Sequence, residues 1–303
     1  SLVISVIFGF ALYFSRKNID LKKNLHGNAS WSGLSDLKKN KLLEEKGIIV
    51  GKYNGRLLKF GGQEFCSTGA PTRSGKGVGI VIPNLLEWDN SVVVLDVKQE
   101  CFEITSKYRF QELKQKVYLF DPFSFNTHRY NPLKYLDFDQ ADIELQIQAL
   151  ANSLYPVGKG GKDFFSIQAQ SIFVAIVYLF GKLEEESLLW DNKFTLTALA
   201  GALQGVKIDL GNMEPEIISL QETVETAKTM GLLTDTIYSK FQSFFEQAEA
   251  KDQYAGVKSS YETPLKVFQD SLFEKATEEN DFDFRDLRKE KITIYIGIKP
   301  ENI

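Results

Sequence analysis

A glycine-rich stretch with one lysine, residues 69–79 (GAPTRSGKGVG), holds the residues best suited to chemistry in this chain. It matches the P-loop pattern G-x-x-x-x-G-K-[ST] in part: counting back from Lys76 places Ala70 at the first glycine position and Gly77 at the Ser/Thr position. Gly75 and Gly77 let backbone N–H groups turn inward as an anion-binding nest, and the next helix adds positive charge at its N-terminus. The stretch therefore predicts a nucleotide-phosphate loop, with Lys76 at the β- and γ-phosphates. The predicted binding residues are Gly69, Ala70, Pro71, Thr72, Arg73, Ser74, Gly75, Lys76, Gly77 and Val78.

The position after the lysine is the main departure from this pattern. A hydroxyl there normally ligates Mg²⁺, and Gly77 has none. The metal would need water, Thr72 or Ser74 from the loop, or a carboxylate elsewhere. We expect ATP and Mg²⁺ as cofactors and no separate metal site, because two cysteines and two histidines are too few to build one. A glycine-rich turn that binds nothing is the alternative, and a strand before the loop with a helix after it argues against that.

Asp96 is the second candidate catalytic residue, beside Lys76. It follows the apolar run 92–95, and four apolar residues before an aspartate resemble a Walker B strand. The competing interpretation is an aspartate that ends a strand and caps the next turn.

The loop lies among alternating strands and helices. Segments rich in β-branched residues predict strands, and 91–97 (SVVVLDV) is apolar enough to be buried on both faces of a sheet. A helix is predicted over 77–88, interrupted by Pro83. The predicted strands are 47–50, 56–60, 63–68, 91–97, 116–120 and 291–298, with a hairpin turn at Asn54-Gly55. This alternation indicates an α/β fold with a parallel sheet.

Residues 139–288 have a different pattern, with apolar residues at the three- and four-residue spacing of helices. The segment 164–180 is apolar enough to resemble a membrane span, but Gln168 and Gln170 within it favour a buried core helix. A glycine-lysine loop at 158–161 is not expected to bind phosphate. The predicted helices are 141–154, 164–183, 195–203, 215–230, 235–250 and 257–276. We interpret 139–288 as an all-helical domain inserted into the α/β domain.

The first 14 residues (SLVISVIFGFALYF) are apolar and uncharged, and basic residues follow them. A full membrane crossing needs about 20 apolar residues. A signal peptide places its positive charges before the apolar run, whereas here they come after it. This order favours the end of a transmembrane helix, with residue 16 onward in the cytoplasm. The alternative is a buried helix of a soluble domain.

Charge is segregated along the chain. Residues 15–60 carry eleven Lys or Arg and four Asp or Glu, a net of +7, whereas residues 137–290 carry fourteen and twenty-seven, a net of −13. The acidic region is poorly suited to gripping a nucleic-acid backbone over its whole surface, so it favours a basic protein partner. Any DNA path would then follow a local basic patch or a central pore. Cys66 and Cys101 are expected to be reduced cysteines of a cytosolic domain.

Several stretches resemble the type IV secretion coupling proteins, the TraG/TraD family of conjugative ATPases. The most specific is 70–86, which is similar to the family's APTRSGKGVG and IPNLL segments, including the glycine after the lysine. Residues 91–100 (SVVVLDVKQE) are similar to its SVVVLD-x-KGE stretch, although Gln99 replaces the usual glycine. Shorter similarities are HGNASW at 26–31, FDP at 120–122 and RYNPL at 129–133, with fainter ones at 164–171 and 292–303.

The resemblance implies an α/β, RecA-like P-loop motor domain, incomplete at the C-terminus, with an inserted all-α domain and an N-terminal transmembrane remnant. It also implies a homo-hexamer at the bacterial inner membrane, with its soluble domains in the cytoplasm. The implied partners are type IV secretion channel components, relaxase or effector protein substrates, and DNA. The family's Walker B acidic pair would lie beyond residue 303, so Asp96 would not be the Walker B aspartate and this chain would hydrolyse ATP weakly or not at all. The expected segments are 1–15 for the membrane helix end, 16–60 for a basic juxtamembrane part, 61–138 and 289–303 for the nucleotide-binding domain, and 139–288 for the inserted domain.

Three functions compete at this point. The first is a coupling ATPase that delivers DNA–protein complexes or effector proteins to a secretion channel. The second is a non-catalytic membrane docking subunit whose bound nucleotide only orders an interface, which Gly77 and the implied position of Walker B favour. The third is an unrelated P-loop kinase or transporter subunit, against which the HGNASW and RYNPL segments argue.

Overall fold

The computed structural model describes Tyr13 and residues 31–157, 164–209, 216–247 and 251–298. The predicted membrane helix at 1–15, apart from Tyr13, lies outside the described residues, as do HGNASW up to residue 30 and the 158–161 loop. The chain forms two compact units, residues 1–88 and 89–303.

The first unit begins with a short helix and a β-hairpin. Its elements are α1 (Leu34–Lys39), β1 (Ile48–Tyr53), β2 (Arg56–Phe60), a π-helical turn (Gly77–Val81) and α2 (Ile82–Glu87). Strands β1 and β2 pair antiparallel, and the turn between them has positive φ at Asn54 (47°) and Gly55 (84°). These are the backbone angles of a two-residue hairpin turn, so the predicted hairpin is confirmed.

The buried strand predicted for residues 63–68 is wrong. The segment has no strand pairing, and all six of its residues are exposed. Only Phe65 and Cys66 in it are apolar, which is too little surface to bury. An extended segment without a neighbouring strand also leaves its backbone N–H and C=O groups to water.

The predicted helix over 77–88 is confirmed, in two parts. Pro83 follows the π-helical turn directly, as the second residue of α2, and has no N–H to continue the helical hydrogen bonds. Asn84 ties this helix to β1: its Oδ1 accepts from the Ile49 N–H at 2.7 Å, and its Nδ2 donates to the Ile49 carbonyl at 2.9 Å. The pairing of β1 with β2 is irregular just after Ile49, so the Asn84 amide stabilises the strand where the ladder is interrupted.

The second unit contains a three-stranded parallel sheet. Its elements are β3 (Val92–Leu95), α3 (Glu100–Gln111), β4 (Lys116–Phe120) and β7 (Ile292–Ile296). The strand order is β3-β7-β4, so the last strand in sequence lies in the middle. The predicted strands near 91–97, 116–120 and 291–298 are confirmed. Burial of β7 on both faces is typical of a parallel sheet covered on both sides.

Helix α3 turns the polar side chains of Thr105 and Arg109 towards β7. The Arg109 side chain is fully buried, with Nε donating to Thr293 Oγ1 at 2.6 Å and Nη2 to Gln115 Oε1 at 2.8 Å. One turn earlier, the hydroxyls of Thr105 and Tyr295 lie 2.6 Å apart. Burial lowers the pKa of Arg109, because water no longer solvates its charge. Each hydrogen bond in this layer therefore satisfies a group that water cannot reach.

The helical region packs around one long helix. Its helices are α4 (Ile143–Leu154), α5 (Phe164–Glu185), α6 (Leu196–Gly201), α7 (Leu220–Thr229), α8 (Asp235–Gln247), α9 (Lys251–Leu265) and α10 (Ser271–Thr277). Helix α5 is long and apolar enough to cross a membrane, but 61% of its most apolar window is buried inside the molecule. Burial of this extent supports the predicted core helix.

The expectation that 139–288 is all-helical is wrong in one place. Strands β5 (Val206–Ile208) and β6 (Glu216–Ile218) form an antiparallel pair, so the helix predicted from 215 begins only at Leu220, with Ser219 as its N-cap. The helix predicted over 257–276 is also broken: Pro264 lies in the last turn of α9, and Asp270 caps α10. The Ser219 and Asp270 side chains accept hydrogen bonds from backbone N–H groups that would bond within the helix if it were continuous.

Replacing the buried guanidinium should destabilise the second unit strongly. Arg109→Ala removes the donors to Thr293 and Gln115 and leaves a cavity under the sheet, so we expect a loss of about 3 kcal/mol or more in the free energy of unfolding. Urea unfolding of the variant measures this. Lys107→Ala, an exposed change on the same helix, is the matched control and should cost less than about 0.5 kcal/mol. Equal losses in the two variants would contradict the assignment.

Candidate nucleotide-binding site

The glycine-rich loop connects an exposed segment to a helix. Arg73 and Gly75 have positive φ angles of 62° and 85°, so the backbone curls sharply just before Lys76. The first helical hydrogen bond runs from the Gly79 N–H to the Gly75 carbonyl at 2.7 Å. The backbone N–H groups of the residues just before Gly79 have no partner within the helix and face the space at its N-terminus. A Cβ atom at Gly75, Gly77 or Gly79 would meet nothing within 4 Å, so the backbone here is open to a ligand.

Lys76 is folded back over the loop. Its Nζ donates to the Ala70 carbonyl at 2.5 Å and to the Pro71 carbonyl at 2.9 Å. These bonds close the segment 70–76 into a ring, with the ammonium group as the closing link. A positive charge in that position, next to free N–H groups, is what binding a phosphate requires.

A metal ion at this loop would have few protein ligands. The loop offers the exposed hydroxyls of Thr72 and Ser74, and Gly77 offers none. Among the described residues, no group of three or more His, Cys, Asp or Glu comes together to hold a metal. Mg²⁺ is often held by one or two protein ligands, phosphate and water, so the loop fits that ion better than one needing an all-protein cage.

Asp96 has a structural role in the second unit. It is 5% exposed, and its Oδ2 accepts from the Phe102 N–H at 2.8 Å, which caps the first turn of α3. The neighbouring Cys101 thiol is half-buried, and its pKa rises to about 11 through burial first and the Asp96 carboxylate second. Cys101 is therefore protonated at neutral pH and is free, as is Cys66. These contacts agree with the capping interpretation of Asp96, and its catalytic role stays a prediction.

Gln99 covers the carboxyl end of the parallel sheet. Its φ is +60°, and its Nε2 donates to Asp121 Oδ2 at 2.6 Å. A Cβ at Gly297, at the end of β7, would lie 2.7 Å from the same Nε2, so the amide passes directly over that glycine. This backbone angle favours glycine, and the bond to Asp121 compensates for the glutamine that stands there.

The side-chain contacts of Asn84, Arg109 and Gln99 were not predicted from the sequence. Asn84 and Arg109 look like ordinary helix residues, and only the structure shows their partners. Gln99 carried a signal, the departure from glycine, but nothing in the sequence pointed to Asp121. The predicted loop residues 69–78 do form one continuous loop and helix start in the first unit, whereas Asp96 lies in the second.

The first unit thus holds a glycine-rich loop that leads into a helix, and the second unit holds a parallel sheet with a helical region between its strands. Residues 30–303 match the type IV secretory system conjugative DNA transfer family, and the chain belongs to it. Its relatives are coupling proteins. It is 30% identical to the VirD4 protein of Rhizobium radiobacter over 323 residues, covering 100% of this chain and 43% of the relative. It is 29% identical to VirD4 of Agrobacterium fabrum, covering 92% of this chain and 40% of the relative. It is 25% identical to the conjugal transfer protein TraG of Escherichia coli, covering 92% of this chain and 46% of the relative. The chain thus spans less than half the length of these relatives.

Two substitutions separate the backbone strain at position 99 from its hydrogen bond. Gln99→Ala and Gln99→Gly both remove the bond to Asp121, but only glycine relieves the positive φ. We expect Gln99→Gly to be more stable than Gln99→Ala by about 1 kcal/mol, because a left-handed backbone costs roughly that much for a residue with a Cβ. Thermal and urea unfolding measure the difference. Equal stabilities would mean that position 99 is unstrained.

Proposed function

We propose that this protein is a membrane-anchored coupling ATPase of type IV secretion. It binds ATP and Mg²⁺ at the Lys76 loop and uses hydrolysis to pass DNA–protein complexes or effector proteins to a secretion channel. Membership of the conjugative DNA transfer family, together with the closed loop around Lys76, supports this. The proposal places the apolar N-terminus in the bacterial inner membrane, the rest in the cytoplasm, and six copies in a ring.

Each part of the loop has a defined role in this proposal. The Lys76 ammonium leaves the carbonyls of Ala70 and Pro71 and neutralises the β- and γ-phosphates. The backbone N–H groups of 75–78 hold the phosphate oxygens, and Thr72 or Ser74 supplies the hydroxyl that Gly77 lacks. When bound, Mg²⁺ neutralises the charge that develops on the phosphates.

A docking subunit that binds nucleotide without hydrolysing it is the second candidate. Two observations favour it: Gly77 has no hydroxyl for the metal, and the Asp96 carboxylate caps α3. Substrate recognition is proposed for the acidic helical region in both cases, since its net charge of −13 over residues 137–290 favours a basic protein.

Nucleotide binding should depend on Lys76. Lys76→Ala removes the ammonium group that closes the loop, so we expect affinity for ATP to fall by about tenfold or more and transfer in the whole protein to be abolished, with folding unchanged. Isothermal titration of the 303-residue chain measures binding, phosphate release measures the weak hydrolysis that we expect, and mating assays measure transfer. Lys52→Ala, an exposed change in β1, is the control. Unchanged transfer in Lys76→Ala would exclude the motor function.

Restoring the hydroxyl should strengthen metal-dependent binding. A side chain at Gly77 meets nothing within 4 Å, so Gly77→Ser fits without rearrangement. We expect the Mg²⁺-dependent part of ATP affinity to rise by about tenfold in Gly77→Ser and to stay unchanged in Gly77→Ala. Titrations with and without Mg²⁺ separate the two effects. Equal gains in both variants would show that helix propensity, not metal ligation, is responsible.

A further inference from the structure

Two segments join the sheet to the helical region, and they run side by side. The outgoing segment is 129–131, from the RYNPL motif, and the returning segment is 276–284. The Tyr130 N–H donates to the Ala276 carbonyl at 2.8 Å, and the Asp281 N–H donates to the Arg129 carbonyl at 3.0 Å. Backbone hydrogen bonds therefore hold the outgoing and returning segments together.

Arg129 adds a charged fork across the same pair of segments. Its Nη2 donates to Asp281 Oδ1 at 2.8 Å, its backbone N–H donates to Asp281 Oδ2 at 2.7 Å, and its Nη1 donates to Glu278 Oε1 at 3.2 Å. The side chains of Arg129, Asp281 and Glu278 are 31%, 27% and 36% exposed. Hydrogen bonding to Arg129 holds the pKa of Asp281 below its usual range, so the pair is charged at neutral pH. A fork of this kind fixes geometry as well as charge.

The next two residues of the motif contact the sheet side and the helical side. The Tyr130 ring stacks on Phe282 at 5.5 Å between centroids and 9° between planes, and Phe282 packs with Ile292 and Ile294 of β7. The Asn131 side chain is fully buried, and its Nδ2 donates to the Phe194 carbonyl of the helical region at 2.9 Å. Three consecutive residues thus bind the sheet, the returning segment and the helices.

The motif is also connected to the carboxyl end of the sheet. The Asp121 N–H donates to Thr127 Oγ1 at 2.8 Å, and the His128 N–H donates to the Leu119 carbonyl at 2.8 Å. Residues 121–128 are therefore folded back along the end of β4 and lead directly into Arg129. Asp121 is the residue that accepts the Gln99 amide.

We propose that Arg129, Tyr130 and Asn131 form a clasp that sets the orientation of the helical region (143–277) on the parallel sheet, with Arg129 as its positioning residue. The clasp gives the RYNPL motif a role that nucleotide binding does not explain. If the proposed function holds, the clasp transmits movement at the carboxyl end of the sheet to the substrate-binding helices. The orientation itself is a property of the chain without nucleotide, so it is testable apart from that function.

The test measures orientation by pulsed electron spin resonance between two spin labels. Lys107→Cys on α3 and Gln221→Cys on α7 carry the labels, both at exposed positions, in a chain with Cys66→Ser and Cys101→Ala. We expect one narrow distance distribution in this parent and a distribution at least about twofold wider in Arg129→Ala and in Asp281→Asn. The double variant should be no wider than either single one, because both remove the same fork.

Two further variants keep the result decisive. Arg129→Lys retains the charge without the fork and should give an intermediate width, and it replaces Arg129→Ala if that variant does not fold. Lys289→Ala breaks a local ion pair with Asp286 just after the returning segment and should leave the distribution narrow. A narrow, unshifted distribution in folded Arg129→Lys and Asp281→Asn would overturn the clasp. A wider one in Lys289→Ala would also overturn it, because any local loss would then have the same effect. Lys76→Ala should abolish transfer with the distance unchanged, so failure of the motor and failure of the clasp remain distinguishable.

Discussion

Strand β7 is hydrogen-bonded to both other strands of the sheet, and β3 and β4 do not pair with each other. The sheet therefore exists only when a strand that begins at Ile292 has been inserted between two that end by Phe120. Closing a loop of about 170 residues is entropically costly if the loop is flexible, although the cost grows slowly with length. A folded helical region reduces that cost, because its two ends leave side by side.

The polar layer under β7 determines which register the strand can adopt. Arg109 and Thr105 on α3 require hydroxyl partners, and β7 presents Thr293 and Tyr295 at alternate positions on that face. A shift of one residue would place isoleucine side chains against the guanidinium and turn the hydroxyls towards the apolar cluster around Phe282. A buried charge without its partners is far more costly than a poorly packed apolar contact. The layer thus selects one alignment of a strand that would otherwise fit in several.

Much of this architecture follows from local patterns in the sequence. The β-branched run at 91–97 and the alternating run at 291–298 are strands, Asn54-Gly55 is a turn, and the apolar spacing between 141 and 276 produces helices. The strand at 63–68 was mispredicted because strand formation depends on a neighbour that a local pattern does not reveal. The hairpin of β5 and β6 was missed because three-residue strands are too short to show a period. Partners of Arg109, Gln99 and Arg129 lie 184, 22 and 152 residues away, respectively, and long-range pairs of this kind need the fold itself.

Helix α5 has a consequence for how the protein is made. It is apolar enough to enter a bilayer, and the helices that cover it, α8 and α9, end only at Leu265. About 80 residues must therefore be synthesised after Glu185 before the covering is complete, which takes roughly ten seconds at typical ribosome speeds. During that interval the nascent chain exposes an apolar segment that matches a membrane helix in length and hydropathy. Ser166, Gln168 and Gln170 in its first two turns lower its affinity for lipid, and so favour completion of the core over entry into the membrane.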